Sequence, residues 1–147
     1  MTQNRTMTLD RLIHATPEAV WRAWTDPAIL PQWFGPKGYS CTTKDIDLRN
    51  GGQWTFDMLG PDGTIWPNRH RNFTYAPHHT ITFLMDDGTD ANSPMEVTVT
   101  LTPKDGGTFL TQKVVLPTPE AYAGAKAFGA IELGLTTLAK LAAIVET

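Results

Sequence analysis

From Tyr39 to Val115 apolar and polar residues alternate with a period of two, and on either side of that span the spacing turns helical. The alternation divides into candidate strands at 39–48, 52–59, 64–75, 79–86, 95–103 and 107–115. Between them fall turn-forming pairs such as Asn50-Gly51, Asp62-Gly63, Ala76-Pro77 and Asp105-Gly106. Short strands joined by short turns predict an antiparallel meander. The segment 87–94, DGTDANSP, reads as a polar loop, and residues 5–14, with Met7, Leu9 and Leu12, read as one further strand before the helices.

The helical stretches carry their own punctuation. In 16-TPEAVWRAWT-25, Thr16 suits the N-cap, Pro17 the first helical position and Glu18 the positive helix end. Asp26-Pro27 repeats the opening, so a second short helix is expected to run to about Trp33, where Gly35-Pro36 stops it. The same Thr-Pro-Glu signal at 118–120 predicts one long helix over about 119–145, with Phe128, Ile131, Leu135, Leu138, Ala142 and Val145 along one stripe. A sheet with one oily face must cover it, and that helix is the element long enough to do so. The fold class expected is α+β.

Composition narrows the function. At 147 residues the chain is the size of one domain, 1–147, and with 41% hydrophobic and 18% charged residues it can build a core. A net charge of -3 argues against a nucleic-acid partner. No apolar run is long enough to span a bilayer, so no membrane association is expected. The start, MTQNRTMTLDRLI, lacks a signal pattern, and a single cysteine, Cys41, forms no internal disulfide, so a cytoplasmic protein is expected.

The stretch TPEAVWRAWTDPAILPQWFGP, then DLRNGGQWTFDM with Gly63 in the next turn, a proline corner, DGGTFLT and a final helix together resemble the SRPBCC superfamily. Within it the chain is most similar to the branch of activator of heat-shock protein 90 ATPase homologues, C-terminal-domain-like. The resemblance runs from about Leu9 to Leu141. It implies a helix-grip: a curved antiparallel sheet of about seven strands wrapped around a long C-terminal helix, with two short helices after the first strand and an apolar cavity between sheet and helix. Trp33 and Phe34 match the family's W-F/W-G-P segment, which implies that they cap the core and the cavity mouth. Two departures change bulk and polarity at positions expected to face the cavity. Arg71 stands near a common glycine, and Gly134-Leu135 stands where Gly-Trp is common.

Within that frame Trp54, Phe56 and Met58 share one strand face, and Phe83, Met85 and Phe109 are expected to join them in lining core or cavity. Phe128 and Leu135 are expected to line it from the helix, whose glycines at 124, 129 and 134 each cost about 1 kcal/mol relative to alanine and so suggest a structural use. In 66-WPNRHRN-72, His70 and Asn72 share one face if the segment is a strand, and they are positioned to orient a ligand. The alternative is a solvated edge strand broken by Pro67. His70 and Glu132 are weighed as an acid–base pair against Glu132 standing in water at the helix flank. His14, His78, His79 and Cys41 show no metal-ligand spacing, and the turn glycines form no phosphate-binding loop, so neither metal nor cofactor is expected.

These readings converge on binding of an apolar or amphipathic small molecule in the cavity. Two alternatives stand beside it: a cyclase- or hydrolase-like enzyme using the same space, and a co-chaperone-like interaction module. Open sheet edges and tryptophans such as Trp21 and Trp66 suggest a homodimer.

Overall fold

The computed structural model describes residues 2–89, 91 and 93–146. Part of the sequence-predicted loop at 87–94, Asp90 and Asn92, therefore lies outside the described residues. Strand β1 (Thr6–Ile13) leads into helices α1 (Pro17–Thr25) and α2 (Leu30–Trp33). Next come β2 (Ser40–Asp47), β3 (Gln53–Leu59), β4 (Ile65–Ala76), β5 (Thr80–Asp86), β6 (Met95–Lys104) and β7 (Gly107–Val115), and the chain closes with α3 (Pro119–Phe128) and α4 (Ala130–Val145). All seven strands form one open, curved antiparallel sheet in the order β1-β7-β6-β5-β4-β3-β2. This is the expected α+β helix-grip.

The two Thr-Pro-Glu openings work as read. Thr16 Oγ1 accepts from the Ala19 N–H at 3.2 Å and Thr118 Oγ1 from the Ala121 N–H at 3.0 Å. Asp26 instead closes α1 as its C-cap, and its carboxylate holds a turn by accepting from the Ala28 N–H at 2.8 Å; helix α2 begins only at Leu30.

The terminal helix is a correction to the sequence reading. It breaks at Gly129, which stands at φ +90° as the C-cap of α3, and the axes of α3 and α4 meet at 67°. Part of the predicted stripe holds across the break: Leu138 and Ala142 are buried, and Ile131 and Val145 pack against the core. Phe128 and Leu135 are 64% and 43% exposed, whereas Thr137, Leu138, Leu141 and Ala142 carry the buried face of α4. Helix α4 lies against β1, α1 and α2. At the crossing with β1 a Cβ on Gly134 would stand 2.4 Å from Leu9 Cδ1, so a side chain there would have to displace the end of Leu9. No single helix among the described residues is long and apolar enough to cross a membrane.

Strand β4 also departs from the edge-strand alternative, because it runs inside the sheet between β3 and β5. Pro67 is tolerated because pairing with β5 begins only at Arg69, so the proline needs no ladder bond on that side. Further along, the register slips between Arg71 and Thr74, with Asn72 at φ +58°. This bulge turns Asn72 outward and brings Phe73 into the core. His70 and Asn72 consequently do not share a face.

Candidate functional site

The core begins with the aromatic cluster behind the W-F-G-P turn. Trp33 is fully buried, donates its indole N–H to Ala23 O at 3.0 Å and meets Trp24 edge-on at 4.8 Å. Phe34 packs edge-on against Trp54 and Phe56 at 5.5 and 6.0 Å. Trp54 and Phe56, themselves stacked at 3.7 Å, are fully buried. Trp33, Trp54 and Phe56 are thus fully buried core side chains.

His70 belongs to the same core. It is 1% exposed, stacks on Phe83 at 4.5 Å and meets Phe34, Trp54 and Phe56 edge-on. Its Nε2 has no hydrogen-bond partner among the described residues. Burial pulls its pKa down to about 3, against the opposing charge of Asp86, so the ring is neutral at physiological pH. On the outer face of β4 and β5, Asp86 accepts two bonds from Arg69, at 2.9 Å each, and one from Arg71 at 3.0 Å. Burial alone would raise the Asp86 carboxyl, but these bonds and one from the Gly88 N–H hold it at about 2.

Between the concave sheet face and the first half of α4 lies a chamber of about 430 Å³. Met7 and Leu9 of β1 and Gln112 and Val114 of β7 line one side; Met58, Trp66, Asn68 and Met85, from β3 to β5, line the other. Ala130, Leu133, Gly134 and Thr137 of α4 form the roof, with Phe128 beside them, and the loop after α2 supplies Phe34, Gly35, Pro36 and Tyr39 as an end wall. Of the residues expected here from the sequence, Met58, Met85 and Phe128 line the chamber, while Phe83 lies in the buried layer with His70. Phe109 does not join them. It sits on the opposite face of β7 from buried Thr108 and Leu110, with the Lys104 ammonium 5.0 Å from its ring centre. Glu132 and Leu135 are exposed on the far side of α4, and Asn72 is exposed at the bulge. His70 and Glu132 are therefore not brought together. Trp66 is 46% exposed at the chamber's rim, and Trp21 is half-buried against Tyr75 and His78.

Sequence reasoning missed the residues that hold the end wall. Lys140 Nζ donates to Gly35 O, Tyr39 O and Pro36 O at 3.0, 3.2 and 3.4 Å, and the Lys37 N–H donates to Thr136 Oγ1 at 2.9 Å. These bonds pin the loop to α4 over about a hundred residues of sequence separation, which no local pattern encodes. Cys41 closes the same corner by donating Sγ–H to Phe34 O at 3.2 Å. Burial, opposed by the charge of Lys140, pushes its thiol up to about 11. Sequence reasoning missed Gln112 and Asn68 too, the two carboxamides of the chamber. Asn68 was discoverable, since it lies two residues before His70 on the same strand face. A second chamber of about 330 Å³ adjoins the first, sharing Trp66, Asn68 and Met85, and extends toward Asp86, Asp87 and Leu116. Among the described residues no cluster of histidine, cysteine or carboxylate side chains is placed to hold a metal.

Sheet, terminal helix and the loop between them define a helix-grip protein. The chain matches the model of the family Activator of Hsp90 ATPase homolog 1-like protein over residues 14–146, and it belongs to that family. It is similar to a protein of Nitrosomonas europaea at 25% identity, covering 99% of this chain and 97% of that one with a TM-score of 0.87. A protein of Chromobacterium violaceum is similar at 30% identity over 97% and 98% of the two chains, with a TM-score of 0.79. The crystal structure of the AHSA1 protein from Silicibacter pomeroyi shares the fold, at 24% identity, over 96% and 97% of the two chains, with a TM-score of 0.75. Comparison with curated proteins gives no match.

Proposed function

We propose that this protein binds an apolar or amphipathic small molecule in the chamber between sheet and α4. The observation that carries the reading is the chamber's size and lining, about 430 Å³ and predominantly apolar, within the range of small-molecule sites. The space opens to solvent beside Trp66 and Phe128, so a ligand can enter it and cover apolar wall that water otherwise meets. Met7, Met58 and Met85 supply flexible, polarizable walls that adapt to a ligand's shape. Binding needs no acid–base pair, in keeping with His70 sealed in the core and Glu132 in solvent.

Methyl labelling of the methionines tests this. Addition of decanol should shift the methyl resonances of Met7, Met58 and Met85 and saturate. Unchanged spectra, or small uniform shifts, would count against a site in this chamber.

A further inference from the structure

If the chamber is a small-molecule site, its polar groups define the ligand class more closely than its volume does. Among the described residues, no lining side chain of the main chamber is charged: no aspartate, glutamate, lysine, arginine or histidine contributes to it. The nearby ionisable groups are already engaged. Lys140 donates to three carbonyls of the end-wall loop. His70 lies in the layer behind Phe34. In the adjoining chamber Asp86 is held by Arg69 and Arg71, and Asp87 Oδ1 accepts from the backbone N–H and hydroxyl of Thr89. A ligand carboxylate or ammonium placed against this lining would meet no counter-charge to replace the hydration it gives up there.

The chamber does hold uncharged hydrogen-bonding capacity. Gln112 stands on the inner face of β7, opposite Leu9 of β1 and Val99 of β6, and its carboxamide makes no hydrogen bond to another described residue. Asn68 donates Nδ2–H to Trp66 O at 3.0 Å, which leaves its Oδ1 as an acceptor. A carboxamide both donates and accepts, so it matches a hydroxyl, carbonyl or amide and has no preference for an ion.

We infer that the ligand is electrically neutral, an apolar body bearing an uncharged hydroxyl, carbonyl or amide group, and that Gln112 is the residue that recognises that group; this rests on the chamber being a small-molecule site. Competition binding of decanol, decanamide, decanoate and decylammonium at neutral pH, to the intact protein and to Gln112→Leu, tests it. The two neutral compounds should bind at least about tenfold more tightly than either ion, and Gln112→Leu should weaken decanamide by about tenfold while leaving the melting temperature in place. Gln112→Met, of similar volume, repeats the test should the leucine variant fold poorly. Decanoate or decylammonium binding as tightly as decanol would overturn the neutral-ligand inference while leaving the chamber a binding site. Unchanged decanamide affinity in both variants would overturn the role of Gln112. Failure of all four compounds to bind would remove the small-molecule reading, and this inference with it.

Discussion

His70 is the residue whose environment departs furthest from its sequence expectation. A histidine between two arginines reads as a polar, titrating group, yet the fold places it among Phe34, Trp54, Phe56 and Phe83. Its lowered pKa has a defined thermodynamic sign. Above about 6.5 the imidazole is neutral in both states and contributes no pH dependence. Below that value the unfolded chain takes up a proton that the folded chain refuses until about pH 3, so stability falls as the pH is lowered through this window. The slope attributable to His70 is at most about 1.4 kcal/mol per pH unit. Urea unfolding of the wild type and of His70→Phe across the window should show the variant losing less stability on acidification; parallel curves would contradict the account. Asp86 acts at lower pH, since its depressed pKa stabilises the folded state above about 4 and that contribution is lost on descent to about 2. The shared face of Trp54 and Phe56, and the apolar position of Phe83, were legible from alternation, because strand period groups residues by face and these apolar ones mark the buried side. Asn72 and Phe109 were not. A bulge inverts the alternation at Asn72, and the face of Phe109 is set by pairing with Leu12 and Thr102, partners remote in sequence.

At the scale of elements, both helix openings were legible because capping is local chemistry, whereas the break at Gly129 was hidden by an apolar stripe that continued across it. Gly129→Ala forces a Cβ into the left-handed region and should destabilise the protein by about 1 kcal/mol in urea denaturation. No change would mean that α3 and α4 run on without the bend. The loop after α2 depends on a different device. Lys140→Met removes three bonds to carbonyl groups and should cost about 1–3 kcal/mol. Amide exchange should quicken most in residues 35–39; a uniform increase along the chain would instead make Lys140 a general stabiliser with no particular hold on this wall.

At the scale of the whole molecule, the sheet curves about α4, while Gly134 and the bend at Gly129 set how the two meet and leave the chamber open beside them. The strand meander and the α+β class could be read from period and punctuation, whereas the helix-grip came with the family resemblance and the divided terminal helix with neither. The chamber could not, because it is enclosed by side chains from five strands, one loop and the terminal helices, most of them distant in sequence. The proposed role rests on this being open space that a ligand can fill. Leu133, on its roof, gives the most direct test: Leu133→Trp should occupy that space from within. Titrated with decanol, the wild type should bind saturably, and Leu133→Trp should bind at least about tenfold more weakly with its melting temperature preserved or raised, since the added ring buries apolar area. Equal affinity in both proteins, with the variant fully folded, would contradict the assignment of this chamber as the binding site.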